Sequence, residues 1–216
     1  MDLEKDWTGG GVSSRERVLT APAEGALEAL KLGNIRFTSG QVRQPNRNAG
    51  RRQAVTTGQS PFAVVVTCSD SRLPPEIIFD QGIGDLYVVR TAGHILDDVA
   101  LGSVEFAVKE LQIPLVLVLG HQRCAVVSAA VQGDQIADLA PRALDGVREA
   151  LEPVIARARA LQGDMLNNAI DENVRMTVES LRASEPVLAA EVQAGRLAVR
   201  GARYQLTSGI VSFFAG

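Results

Sequence analysis

At 216 residues, with 46% hydrophobic and 22% charged residues, the chain is long and apolar enough to bury a full core and is not of disordered composition. Its net charge of -3 gives no basic footprint for nucleic acid, and no stretch approaches the roughly 20 apolar residues of a membrane span. Residues 1–20 show no apolar core of a secretory signal, so the expectation is a cytoplasmic protein with neither nucleic acid nor membrane as partner.

Residues 1–21, with Gly9-Gly10-Gly11 and Ser13-Ser14 and no apolar period, read as a flexible N-terminal arm, and 22–216 read as one domain. From Pro22 the spacing of Leu27, Leu30, Asn34 and Phe37 predicts a helix stopped by Gly40, followed by an arginine-rich surface loop over 41–58. Phe62–Thr67 is continuous and β-branched, as in a buried parallel strand. Leu73-Pro74-Pro75 breaks the chain, Glu76–Asp80 suits a short helix, and Leu86–Arg90 a second strand. Asp97-Asp98 can cap a helix carrying Leu101, Val104, Val108 and Leu111 on one face. Pro114 ends it, Leu115–Leu119 is a third strand, and a helix follows from about Cys124 to Val131.

Two amphipathic helices are predicted next. Residues 141–162 carry Leu144, Val147, Leu151, Val154 and Ala158, and residues 167–183 carry Ile170, Val174, Thr177 and Leu181. Leu197–Tyr204 and Ile210–Phe214 read as strands around a Thr207-Ser208-Gly209 turn. Alternating strands and helices predict an α/β fold, a central mostly parallel sheet flanked by helices, with an N-terminal helical arm.

The chemistry gathers at strand ends, where open α/β sheets place their reactive crevices. The cysteines of the chain are Cys68 and Cys124. Cys68-Ser69-Asp70-Ser71-Arg72 follows one strand, and Gly120-His121-Gln122-Arg123-Cys124 follows another. Two thiols and an imidazole make a three-ligand zinc set, which leaves a tetrahedral ion one open position. Buried inert thiols or a redox pair are the rival readings, the latter weakened by the absence of a Cys-x-x-Cys. Asp70 and Arg72 are spaced for a bidentate clamp. Asp70 either closes the zinc site as a fourth ligand or, held back by Arg72, accepts a hydrogen bond from a water on the metal.

Cys68 through Pro75, and Glu105-Phe106-Ala107-Val108 leading to Gly120-His121 and Cys124, resemble the two signatures of β-class carbonic anhydrases. Tyr87 through His94 is similar to the family's central block, and Gly195 through Val211 to its C-terminal hairpin. The resemblance runs from about residue 22 to the end of the chain. It implies one zinc ion per chain on Cys68, His121 and Cys124, with Asp70 as an exchangeable fourth ligand paired to Arg72. It also implies substrate contacts from Gln59 and Tyr87, and a homodimer or dimer of dimers with sites near the interface. The implied enzyme is a carbonate dehydratase, a zinc lyase interconverting CO2 with bicarbonate and a proton. Hydrolysis of carbonyl sulfide or carbon disulfide on the same fold, and a non-catalytic zinc protein, are the alternatives.

Three positions depart from the family pattern. Ala125 stands where glycine is usual, and its methyl is harmless if that residue is right-handed helical but costly at positive φ. His94 replaces a more frequent asparagine, as a hydrogen-bonded loop residue or a proton shuttle. Phe37 occupies the place of the tryptophan associated with bicarbonate-regulated members, which disfavours that regulation.

Overall fold

The computed structural model describes residues 23–133 and 145–215. The arm expected over 1–21, and Pro22 and Leu144 of the expected helices, lie outside the described residues. The chain orders as α1 (Ala23–Thr38), α2 (Ala49–Ala54), β1 (Ala63–Cys68), α3 (Pro75–Ile78), β2 (Leu86–Thr91), a 3-10 turn (Ala92–His94), α4 (Asp98–Glu110), β3 (Leu115–His121), α5 (Ala125–Gln132), α6 (Asp145–Arg159), α7 (Met165–Ala183), α8 (Leu188–Gln193), β4 (Ala198–Tyr204) and β5 (Val211–Phe213).

These form one five-stranded sheet in the order β2-β1-β3-β4-β5, parallel except for the β4–β5 pair. β1 and β3 are buried along their whole length, which is why both read as unbroken apolar runs rather than alternating ones. Successive residues feed opposite cores. Val65, Leu115, Leu117 and Leu119 pack on one face with Leu30, Leu151 and Ile170. Val64, Val66, Val116 and Val118 pack on the other with Val104, Val108, Val174 and Leu188.

The order places β2 on one side of β1 and β3 on the other. The chain therefore leaves β1 in one direction and returns across it to β3, which makes the β1–β3 seam the topological switch point of the sheet. Thr67 ties the seam near its carboxyl end, its hydroxyl donating to the Leu119 carbonyl at 2.8 Å.

α7 lies close to the sheet because two glycines make room for it. A Cβ at Gly120 of β3 would stand 2.5 Å from Val174 Cγ2, and one at Gly201 of β4 would stand 2.8 Å from Val174 Cγ1. The predicted stripe of α7 holds, with Ile170, Val174 and Leu181 fully buried. Asp97 caps α4 by accepting from the Ala100 N–H at 2.8 Å, as its sequence suggests.

The segment 41–58, expected as plain loop, contains α2. Asn48 caps it by accepting from the Arg51 N–H, and none of its residues is buried, so no hydrophobic period announces it. α8, between Pro186 and Gly195, was missed for its shortness: it buries Leu188 and Ala189, but six residues are too few to show a period.

Candidate metal centre

β1 ends on Cys68 and β3 ends on His121, side by side at the switch point. Beyond His121 the Gln122 N–H still donates to the Tyr204 carbonyl at 2.9 Å, extending the ladder by one residue. Arg123 then turns the chain with a left-handed φ of 54°. Cys124 becomes the N-cap of α5. The ligand atoms of Cys68, His121 and Cys124 all lie within 4.8 Å of one another, and all three residues are buried.

The electrostatics of the cluster favour a cation. His121 Nδ1 lies 3.0 Å from the Gln122 carbonyl, which can only accept, so Nδ1 carries the proton and Nε2 keeps its lone pair. That Nε2 is buried with no hydrogen-bond partner. The Cys124 thiol donates to the Cys68 sulfur and, against burial, holds the Cys68 pKa well below the usual thiol range, aided by the neighbouring His121 ring and by the Asp70 and Gly93 N–H groups. The same bond, together with burial and the negative Cys68 sulfur, pushes Cys124 up, against the pull of the Val127 and Val126 N–H groups at the start of α5. One negative sulfur is easy here and two are hard, until a positive ion stands between them. Two thiolates and an orphaned imidazole nitrogen fit zinc, a borderline-soft ion that takes sulfur and nitrogen donors.

Asp70 is turned to Arg72 rather than into this cluster. Arg72 Nε donates to Oδ1 at 2.8 Å, Nη2 to Oδ2 at 2.6 Å, and the Arg72 backbone N–H to Oδ1 at 2.9 Å. The Arg72 guanidinium holds the carboxyl down at about 2. Of the other expected site residues, Gln59 is exposed and precedes the amino end of β1, whereas Cys68 closes the carboxyl end. Tyr87 pairs with Val64 and packs with the cluster on the α4 side, opposite the core that contains Cys68 and Cys124. The structure thus does not gather Gln59 and Tyr87 with the three ligands of their own chain.

Ala125 opens α5 and is absent from the positive-φ residues of the chain, so its methyl is accommodated. His94 is 2% exposed, and neither ring nitrogen has a hydrogen-bond partner. Burial pulls its pKa down to about 4, so the ring is neutral at pH 7 and shielded from solvent, which does not suit a shuttle. Phe37 packs at the α1 end, against the Gly209 turn.

A family model described as carbonic anhydrase matches residues 63–211, a span that contains every element of the centre. The chain belongs to the β-carbonic anhydrase family. It is 39% identical over 184 residues to carbonic anhydrase 2 of Mycobacterium tuberculosis, covering 85% of this chain and 89% of that one. It is 39% identical over 186 residues to the carbonic anhydrase of Mycolicibacterium smegmatis, covering 86% and 90%. Among solved structures, the β-carbonic anhydrase CcaA superposes with a TM-score of 0.70 at 25% identity over 88% of this chain and 95% of that chain. A tetrameric β-carbonic anhydrase of Sordaria macrospora shares the fold with a TM-score of 0.69 at 21% identity, over 89% and 96%.

Within this β-carbonic anhydrase the expected site omitted the residues that hold its backbone. Arg90 of β2 donates from Nε to the Cys68 carbonyl at 3.1 Å and from Nη2 to the Asp70 carbonyl at 2.6 Å, pinning the loop that carries both side chains. The Ser69 N–H adds a bond to the Thr91 carbonyl at 2.9 Å. An arginine closing an apolar strand was the available signal for Arg90. Asn173, buried on α7, had none, because a polar residue in an amphipathic stripe does not reveal its target.

Proposed function

We propose that this protein is a zinc lyase that interconverts carbon dioxide with bicarbonate and a proton, its zinc held by Cys68, His121 and Cys124. The observation that carries the reading is the convergence of two thiols and an unpartnered imidazole nitrogen beside a clamped carboxylate. Zinc held by these three residues would supply a Lewis acid, making a water nucleophile available near neutral pH.

Asp70 and Arg72 orient that nucleophile. A carboxylate offers about four acceptor sites. Oδ1 accepts twice, from the Arg72 N–H and Nε, while Oδ2 accepts once, from Nη2. Oδ2 is therefore the atom left to take a hydrogen bond from the attacking water and aim its lone pair at carbon. With its pKa at about 2, Asp70 orients a proton without storing it, and the proton of each turnover leaves by another route. The clamp also supports Asp70 standing beside the metal rather than on it. Ile95 and Val126 flank Gly93 next to the Cys68 sulfur and give the apolar surroundings that CO2 requires.

The working unit in this reading is a homodimer or a dimer of dimers in the cytoplasm. Val99 and Phe106, two turns apart on α4, are 79% and 48% exposed, an apolar stripe that a second copy would cover. Gln59 and Tyr87, remote from their own ligand cluster, contact substrate in this reading from across that interface. No described helix is long and apolar enough to cross a membrane. Both cores share the one sheet, which supports reading 22–216 as one domain. Metal analysis paired with a CO2 hydration assay tests the ligand set: Cys68→Ser and His121→Ala are each expected to lose zinc and activity together, and full activity in either would reject it.

A further inference from the structure

Gly93 is gripped from two sides. Its N–H donates to Cys68 Sγ at 3.4 Å, and its carbonyl accepts from Asn173 Nδ2 at 2.9 Å. The residue is left-handed, with φ 63° and ψ 20°, and a Cβ there would stand 3.1 Å from Val126 Cγ1. The next residue, His94, is also left-handed, with φ 50°. Such a conformation in a non-glycine residue persists where surrounding contacts impose it. The bond from Asn173 is such a contact, made across 80 residues by a buried amide.

Asn173 does not act alone on α7. Val174, its neighbour, fills the notch at Gly120, one residue before His121. A single turn of α7 thus touches the backbone beside two of the three ligands. Groups that stand behind metal ligands fix their orientation and donor strength, and losing one typically lowers metal affinity or activity by about 10–100-fold.

We propose that Asn173 is a positioning residue of the metal centre, holding the Gly93 carbonyl so that the Gly93 N–H stays on the Cys68 sulfur and sets the donor strength of that thiolate. This rests on zinc being bound by Cys68, His121 and Cys124. Val174 supplies the packing and Asn173 the direction.

The test compares Asn173→Ala and Asn173→Leu with wild type by zinc competition against a chelator and by the spectrum of the cobalt-substituted protein. Leucine keeps the shape of the amide and removes its donor, so it carries the test if the alanine variant folds poorly. Thr177→Val is the control. The Thr177 hydroxyl donates to the Asn173 carbonyl at 2.8 Å, so its loss perturbs the same turn without touching Gly93. The expected result is zinc affinity lower by roughly 10–100-fold in both Asn173 variants, with the thiolate-to-cobalt charge-transfer band moved to lower energy because the sulfur has lost a hydrogen bond, and wild-type behaviour in Thr177→Val. Wild-type affinity and an unmoved band in a folded Asn173 variant would overturn the inference and leave the zinc reading standing. Wild-type protein that binds no zinc would overturn both.

Discussion

Val174 Cγ2 lies 2.5 Å from the point where a Cβ on Gly120 would stand, so the helix behind the metal centre rests on a position with no side chain. Gly120 is followed directly by His121, which means that the packing of α7 and the placement of a ligand meet in consecutive residues. Gly120→Ala is expected to destabilise the fold by about 1–3 kcal/mol, the usual range for overpacking a filled core. Denaturant unfolding measures it. Pairing Gly120→Ala with Val174→Ala should recover part of that loss, because the clash is with the removed methyl. A double variant no better than Gly120→Ala would show that the contact is not the cause.

Asp70→Asn keeps the shape of the side chain and removes the charge that Arg72 clamps. It should retain one zinc per chain and lose roughly 100-fold or more in CO2 hydration, the scale of a positioned proton-acceptor group. Metal content and turnover measured on the same sample check this. Undiminished hydration would discard the orienting role. Arg72 lowers the folded pKa of Asp70 to about 2, so the stabilising effect of the ion pair is complete above the unfolded value near 4 and fades as pH falls through 2. Between pH 6 and 9 Asp70 should contribute no titration to the rate.

Arg72→Ala removes all the side-chain bonds that turn Asp70 from the ligand cluster. The freed carboxylate is expected to occupy the open metal position. Binding of a small anion such as azide to the cobalt-substituted protein should then be lost. Anion binding equal to wild type would show that the clamp is not what keeps that position open.

A buried carboxylate, Asp80, ties α1 and the segment after it to the rest of the fold. Asp80 is fully buried and accepts from Arg36 Nε at 2.6 Å and from the Arg43 and Gln44 N–H groups at 2.9 Å each. Burial alone would raise its pKa, and these donors more than offset that, leaving it lowered. Its contribution to stability is therefore full above about pH 4 and lost as pH falls below the unfolded value. Asp80→Asn is expected to cost about 3 kcal/mol at neutral pH and to flatten the decline below pH 4, as urea unfolding across that range would record. Equal pH slopes in the two proteins would exclude Asp80 as the cause.

The sheet was legible because β1 and β3 are buried on both faces and their apolar runs admit few other readings. Cys68, His121 and Cys124 were legible for a different reason: strand ends fix their height, and the two-residue spacer of the second motif needs only the turn that Arg123 makes. What stayed hidden depends on long-range contact. Arg90 stands out as a charge closing an apolar strand, but nothing near it in sequence names the Cys68 and Asp70 carbonyls as its targets, and the reach of Asn173 to Gly93 leaves no pattern at all. α2 and α8, each six residues long, likewise lack enough turns to show a period.

The central claim is that the centre at the β1–β3 seam turns over CO2. Stopped-flow CO2 hydration by the zinc-loaded protein, followed from pH 6 to 9, tests it most directly. The expected result is zinc-dependent catalysis that rises with pH as the nucleophile forms, without a contribution from Asp70. One zinc bound per chain with no acceleration at any pH in that range would contradict the account.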